Sequence, residues 1–394
     1  MTCFRKTLIS CVFSGGLVAA PTAAWGQDAS WRPSFLTQTE VEFEADLDLL
    51  IGVGASQAPR DVPYADMRLQ GSSETLTDQG WRYGVEGQVR LTTGDGRRGL
   101  ARPGLTGPVR NGLPVTGLLT GLSADPGLDA SSSRLFVDKA QIYLQTRLVK
   151  LRAGPGETAA VQEASRPLHA FRLTRAQGGV IDPTGLNLAD TSLTLAEGAA
   201  GLSVQSQRIV GLRLSASFAP DADPCAQQCH PAGAQVLRAD LGSVWSLAAS
   251  FDRRIPTSGV RWSASLGYET ARADDLMGLS FDDPWLVRAD LVREAGDLTV
   301  NLSGLTGSDG YLGADYDSLG LNIAYEQGDW VYGLELGYGQ SDLVQTRTRS
   351  VQLGASRLVG ARGVLGLAIL HVEENRPGAD QDALQLLVET GLRF

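Results

Sequence analysis

The feature that most constrains this chain is an alternation of apolar and polar residues, repeated in runs of about ten residues. The last run, from Asp382 to Phe394, is the clearest. One face of it carries Leu384, Leu386, Val388, Thr390, Leu392 and Phe394. The other carries Gln385, Glu389, Gly391 and Arg393, with Leu387 as the exception. Successive side chains of a β-strand point to opposite faces, so the run predicts a strand. A helix is the alternative, but Thr390 and Gly391 weaken it.

Similar runs recur from Thr39 onward and predict roughly sixteen strands, joined alternately by tight turns and longer loops. In the first run the apolar face is Val41, Phe43, Ala45, Leu47, Leu49 and Ile51, and the polar face is Glu42, Glu44, Asp46 and Asp48. Four acids would be unfavourable against a dry core, so this face meets water. The odd positions from Leu237 to Phe251 predict a single apolar strand face. Between residues 351 and 372 the pattern does not fix a register.

Strands of this length match a tilted crossing of the hydrocarbon core of a bilayer. A sheet with one apolar and one wet face tolerates lipid only when it closes into a barrel. The predicted fold is therefore all-β, a transmembrane antiparallel β-barrel of about 16 strands, closed by pairing the last run with Thr39 to Ile51. Aromatic residues near the ends of lipid-facing runs predict an interfacial girdle: Trp81, Tyr268, Trp285, Tyr325, Trp330 and Tyr338.

The amino terminus has the pattern of an export signal. Arg5 and Lys6 precede an apolar stretch from Thr7 to Ala20, and Ala24-Trp25-Gly26 supplies small residues for cleavage. We expect residues 1–26 to be a signal peptide and residues 27–394 to form the barrel. Lipid attachment at Cys11 is the alternative, but the apolar stretch before it is short.

Net charge is −10, which argues against a nucleic-acid partner because phosphate binding needs a basic surface. The same acidity predicts a mild preference for cations. No apolar run of about 18 residues follows the signal, so no transmembrane helix is expected.

Two cysteines remain after export, Cys225 and Cys229. In an oxidising compartment a small loop disulfide is expected. Metal binding by this pair with His230 is the alternative, but no second pair of ligands is evident, so no metal site is predicted. The remaining histidines, His169 and His371, have no neighbouring nucleophile motif, so the chain is not expected to be an enzyme.

Three stretches resemble the trimeric, sixteen-stranded general porins of Gram-negative bacteria, closest in style to the alphaproteobacterial type. Val210 to Pro220 resembles the strand that enters the fourth loop of that family, and Ala140 to Arg152 resembles the hairpin before its constriction loop. The terminal Phe394 resembles the assembly signal of outer-membrane barrels. The resemblance implies an outer-membrane homotrimer through which small hydrophilic solutes and ions diffuse passively.

The resemblance also implies that the loop after the fifth strand, Gly154 to Ser192, folds into the lumen and narrows it. Its charged candidates are Glu157, Glu163, Arg166, Arg172, Arg175, Asp182 and Asp190. The alternation predicts a basic wall of Arg68, Arg82, Arg90, Lys139, Lys150 and Arg152 on the wet face. Ordinary solvated side chains are the alternative explanation of both sets.

Two acidic clusters predict loops that could bind calcium, although neither has EF-hand spacing, and no other cofactor is expected. They are Asp274, Asp275, Asp282 and Asp283, then Asp309, Asp315 and Asp317. A substrate-specific channel is the main alternative function, because the long segment from Thr93 to Ser133 could plug the pore, latch to a neighbour or select solutes. A plugged structural or adhesive barrel and a barrel hydrolase are further alternatives.

Overall fold

The computed structural model describes residues 36–56, 64–93, 107–110, 112–123, 134–222, 237, 239–275, 280–311 and 313–394. The strands are β1 Leu36–Ser56, β2 Tyr64–Thr77, β3 Arg82–Thr93, β4 Val109–Arg110, β5 Leu113–Pro114, β6 Arg134–Gln145, β7 Val149–Pro155, β8 Ala200–Ser206, β9 Leu212–Ala222, β10 Leu241–Arg254, β11 Arg261–Ala273, β12 Trp285–Ala295, β13 Leu298–Ser308, β14 Asp315–Gln327, β15 Trp330–Ser341, β16 Thr346–Val359, β17 Gly363–Arg376 and β18 Ala379–Arg393. A short helix, α1, spans Ala159–Glu163.

Sixteen of these strands form one closed antiparallel barrel, and β4 with β5 forms a separate small hairpin. Each barrel strand pairs with its neighbours in sequence, and β1 pairs with β18 to close the cylinder, with Ile51 opposite Val388. The amides of Ala45 and Phe394 also exchange hydrogen bonds with each other's carbonyls, at 3.2 and 2.8 Å. The predicted fold class and the predicted closing pair are therefore confirmed.

The alternation of the first and last runs is also confirmed. Val41 and Phe43 point outward and are 72% and 71% exposed, and the even-numbered leucines of β18 are exposed in the same way. Leu387, the exception in the last run, points inward and is fully buried in an apolar cluster that includes Phe171 and Leu173. An apolar residue on the wet face thus marks a place where something covers that face.

One predicted face is wrong. Leu237, Ala239 and Leu241 do not share the outward face of Trp245 but are buried inside the barrel. A bulge causes the change, because Ser243 has a φ of 51° and the pairing of β10 with β11 slips between Gly242 and Trp245. An extra residue in one strand reverses the face of every residue before it.

The two ends of the barrel differ. Two-residue turns such as Gly296–Asp297 and Gly328–Asp329 lie at the end where β18 finishes, which we call the turn end. At the opposite, loop end β3 ends and β6 begins, and β7 and β8 are joined there by residues 156–199. Outward aromatic residues occur near both ends: Trp81, Trp330 and Tyr325 near the turn end, and Trp285 and Tyr268 near the loop end, are each more than a third exposed. No helix in the described residues is long and apolar enough to cross a membrane.

Candidate pore and its inner loop

The connection between β7 and β8, residues 156–199, lies against the inward face of the barrel, and we call it the inner loop. Its first anchor is Glu269 on β11, which is fully buried. The Glu269 carboxylate accepts hydrogen bonds from the Leu195 amide at 2.8 Å, from the Thr194 hydroxyl at 2.8 Å, and from the Thr158 hydroxyl. Thr158 is also the N-cap of α1, so one carboxylate fixes the start and the return of the loop.

Two further strand carboxylates hold the middle of the inner loop. Glu335 on β15 accepts from the Ala176 amide at 3.0 Å and contacts His169 Nδ1 at 2.8 Å. Glu389 on β18 accepts from the amides of Arg172 and Leu173 at 2.8 and 3.0 Å. Since β7, β11, β15 and β18 are spread around the cylinder, the loop crosses the interior of the barrel.

Inward-facing glycines make room for this loop. A Cβ atom at Gly333 would lie 2.8 Å from the Cβ of Ala170, and one at Gly267 would lie 2.6 Å from the Cβ of Ala160. Real Cβ atoms do not approach this closely. The same holds for Gly320, Gly337, Gly339, Gly354 and Gly366, which meet atoms of the inner loop or its side chains. The loop backbone therefore packs directly on the strand backbone of this half of the wall.

Burial and hydrogen bonding shift the pKa values of two groups in the inner loop, His169 and Glu163. Burial and the nearby Arg175 hold the pKa of His169 below its usual value, although the contact with Glu335 opposes them. Burial acts to raise the pKa of Glu163, but hydrogen bonds from Ser215, Ser250 and Gln205 outweigh it and lower that pKa. Glu163 is thus a buried anion satisfied by the strand wall, and it does not line open space.

The six residues of the predicted basic wall all occupy inward-facing positions, but they do not form one group. Arg82 lies at the turn end and pairs with Glu74 at 3.1 Å. Lys139 and Lys150 both pair with Glu86, at 3.7 and 3.0 Å. Arg152 donates to the side-chain Oε1 of Gln162 in α1 at 2.9 Å, which ties the start of the inner loop to β7.

Arg68 on β2 and Arg90 on β3 are the two wall cations that face the middle of the inner loop. Arg90 Nε pairs with the buried Asp66 on the neighbouring strand. Two of their guanidinium nitrogens, Arg68 Nε and Arg90 Nη2, are buried and have no hydrogen-bond partner among the residues that the structure describes. The loop presents Arg172 toward the same region, where its Nη1 pairs with Asp46 at 2.9 Å and with Asp48 at 2.8 Å.

The predicted acids of the inner loop have mostly local partners. Asp182 accepts from the Thr184 hydroxyl at 2.6 Å and from the Asn187 amide at 2.8 Å, so it shapes the loop itself. Asp190 accepts from the amide and hydroxyl of Ser192. Glu157 pairs with the exposed Arg166 at 3.2 Å. The loop therefore presents arginines as well as acids to the lumen, and it is not a purely acidic partner of a basic wall.

A cavity of about 250 Å³ separates the inner loop from β2, β3 and β6. Its lining contains four arginines, three acids and three large apolar residues. They are Arg68, Arg90, Arg172 and Arg175; Asp66, Asp190 and Glu197; and Phe136, Leu173 and Val180.

A second stretch, residues 112–123, enters the barrel from the loop end, and we call it the inner segment. Val115, Leu118, Leu119 and Leu122 are buried among inward residues of β9–β14 and against Leu193 and Leu195 of the inner loop. This apolar core lies on the side of the lumen opposite the cavity.

Asp309, in the connection after β13, fixes the inner segment. Its carboxylate accepts from the amides of Leu119 and Thr120 at 3.1 and 2.8 Å and from the Thr120 hydroxyl at 2.9 Å. Full burial raises the pKa of Asp309 to about 6, against these hydrogen bonds.

Several candidates lie elsewhere. Cys225, Cys229 and His230 fall outside the described residues. Asp315 and Asp317 belong to β14, where both are exposed, so they do not share a loop with Asp309. Among the described residues no group of three His, Cys, Asp or Glu is placed to hold a metal ion. Calcium binding at the acidic loops stays a prediction.

Glu269, Glu335 and Glu389 are the anchors that the sequence did not reveal. A lone acid on an inward face looks like an ordinary solvated residue. The usable signal is its neighbourhood, because Glu335 lies between Gly333 and Gly337, and Glu389 precedes Gly391. An inward acid flanked by inward glycines indicates a surface against which another backbone packs.

Comparison with solved structures finds the same architecture. An anion-selective porin from Comamonas acidovorans is 14% identical, with a TM-score of 0.56, covering 91% of this chain and all of that one. A porin structure refined at 1.8 Å resolution is also 14% identical, with a TM-score of 0.52, covering 90% of this chain and all of that one. At this identity the likeness establishes the fold alone. No curated protein matches the chain by sequence.

The model of one sequence family, described as Gram-negative porin, matches residues 17–375. This match spans most of the chain and agrees with the closed sixteen-strand barrel. The chain therefore belongs to the Gram-negative porin family, whose members are proteins of the outer membrane.

Proposed function

We propose that small hydrophilic solutes and ions diffuse passively through one aperture, which lies between the inner loop and the wall formed by β2, β3 and β6. The observation that carries this proposal is the attachment of the inner loop. Three buried carboxylates on β11, β15 and β18 hold it across the lumen, and a charge-lined cavity is left on the side of Arg68 and Arg90.

The inner segment supports a narrow aperture rather than a wide one. It fills the lumen beside β9–β14 with apolar side chains, so solutes pass only on the opposite side. The inner segment belongs to the stretch from Thr93 to Ser133, for which plugging the pore, latching to a neighbour or selecting solutes was expected. It contributes part of a plug. This favours restricted diffusion and keeps a substrate-specific channel as the second candidate.

The charges at the narrowest region decide whether anions or cations pass more easily. Salt at 0.1 M screens the effect of a charge on a passing ion over about 10 Å, so more distant charges matter little. Arg68 and Arg90 each have a guanidinium nitrogen without a hydrogen-bond partner in the described part of the chain, so we infer that the aperture favours anions despite the net charge of −10. This inference replaces the mild cation preference expected from composition. The Comamonas protein is likewise described as anion-selective.

The remaining expectations are part of the same proposal. The chain acts as a channel and not as an enzyme, it assembles as a homotrimer in outer-membrane lipid, and residues 1–26 are removed on export. Phe394 serves as an assembly signal. Its side chain is 61% exposed while its backbone is paired with Ala45, so a receptor could contact the ring.

Planar-bilayer recording of the full mature chain tests the proposal. We expect ohmic channels whose reversal potential in a KCl gradient indicates anion preference. Arg68→Gln should shift that potential toward cation preference. The matched control, Arg82→Gln, removes an equal charge at the turn end and should shift it much less. Absence of channels, or equal shifts for both variants, would overturn the proposed aperture.

A further inference from the structure

We propose that the aperture contains a binding site for a small organic monocarboxylate with an apolar body about the size of benzoate. This proposal rests on the proposed function, because it places the site in the diffusion path. It adds a ligand class that a water-filled pore does not require.

The donors for the carboxylate come from the wall. Arg68 and Arg90 face each other across paired strands, since they are directly opposite in the register of β2 with β3. Arg90 uses Nε for Asp66, whereas its Nη2 and the Nε of Arg68 are buried without a hydrogen-bond partner among the described residues. A buried charged donor without a partner is unfavourable, so the described protein does not fully satisfy the positive charge of this wall. Both arginines also line the cavity, where a carboxylate would lie beside their guanidinium groups.

Arg172, which the inner loop contributes to this region, already has carboxylate partners. Arg172 pairs with Asp46 and Asp48 on β1. Arg68 forms no ion pair with the described residues; the charges of Arg90 and Arg172 repel it, and those of Asp66 and Asp138 attract it. Because Arg90 and Arg172 are already paired with carboxylates, the positive charge that an anion in the cavity would meet is chiefly that of Arg68.

The rest of the lining favours an apolar body over a small inorganic anion. Phe136 on β6 and Val180 of the inner loop line the same cavity as Arg68 and Arg90. A cavity of about 150 Å³ is known to hold benzene, so the present 250 Å³ accommodates a ring together with a carboxylate. Because the Phe136 ring is part of this lining, an aromatic body bound in the cavity would contact it.

Benzoate is the probe for the experiment, in planar bilayers with the full mature chain in KCl. We expect benzoate to reduce single-channel chloride current in a saturable way, with acetate at least 10-fold weaker. Benzyl alcohol, which keeps the ring without the charge, should have no saturable effect. Phe136→Ala should weaken benzoate at least 5-fold and leave acetate unchanged. Equal action of acetate and benzoate would overturn the proposal in favour of a simple anion path.

Variants of the wall separate the site from general electrostatics. Arg68→Gln should raise the half-saturating benzoate concentration at least 10-fold, and Arg68→Lys should raise it also, because a lysine lacks the planar fork. Arg82→Gln should leave it unchanged. Ohmic KCl conductance in each variant shows that the barrel is assembled. If KCl conductance is present and benzoate has no saturable effect, the ligand site is wrong while the proposed function stands. If no KCl conductance is found in the unmodified protein, the proposed function itself fails.

Discussion

Replacing Glu335 by alanine should release the middle of the inner loop from β15. The Glu335 carboxylate contacts the Ala176 amide at 3.0 Å and His169 Nδ1 at 2.8 Å, and its side chain is 4% exposed. Hydrogen bonds to charged groups contribute about 1.5–3 kcal/mol each. Since the variant also removes the desolvation of a buried charge, the net loss is smaller than the sum, about 3 kcal/mol. That loss corresponds to roughly a 100-fold increase in the population of the undocked loop.

Amide hydrogen exchange of the detergent-solubilised protein measures this population directly. We expect exchange at Ala176 to accelerate roughly 100-fold in Glu335→Ala, while amides of β15 exchange as before. Glu335→Gln, which keeps an acceptor in the same place, should accelerate it less. Glu326→Ala is the matched control, because Glu326 is an exposed glutamate of β14 near the turn end. Unchanged protection at Ala176 in Glu335→Ala would refute the role of this carboxylate as an anchor.

Three further predictions concern the same architecture. Gly333→Ala should destabilise docking of the inner loop by about 1–3 kcal/mol, since its Cβ would lie 2.8 Å from that of Ala170. Faster amide exchange at Ala170 would verify this. Gly71→Ala is the control, because its Cβ would meet only atoms at 3.8 Å or more. Burial raises the pKa of Asp309 to about 6, so between about pH 4 and 6 the docked inner segment holds a proton that the released segment has lost. Docking should therefore weaken by at most ~3 kcal/mol as pH rises through this range. Amide exchange at Thr120, corrected for its intrinsic pH dependence, should follow this change and become independent of pH in Asp309→Asn. Because the pKa of His169 is lowered, docking of the inner loop is fully present above about pH 6.5 and weakens as pH falls below it; a His169→Gln variant with the same acid response would contradict this origin.

The barrel could be predicted from sequence because its rule is local. A period of two along each strand, with lipid on one side and water on the other, is enough to orient Val41 or Leu384 without knowing any partner. The rule fails where the inward face of a strand packs against other protein residues instead of water. Leu387 breaks the pattern because it lies in an apolar cluster that includes Phe171 and Leu173, and Leu237 was misplaced because of the bulge at Ser243. A bulge has no reliable local signature when its residue is a serine.

The site was less predictable for a different reason. The alternation assigned Arg68 and Arg90 to the wet face, but it could not tell that Arg82 pairs with Glu74 at the turn end. Glu163 illustrates the same problem, since three strand side chains more than 40 residues away decide that it is buried. Pairings of this kind depend on where a long loop crosses a cylinder, and the composition of the loop does not encode that path.

The anchors of the inner loop also impose an order on assembly. Arg172 meets its acceptor, Glu389, 217 residues later in the chain, and Ala176 meets Glu335 159 residues later. Contacts this distant form late, because the intervening chain must be in place before they can be made. The contact between Arg172 and Glu389 therefore cannot form until β18, the last strand of the barrel, has been made. The position of a loop that leaves the wall at β7 is thus fixed in part by the strand that the chain reaches last.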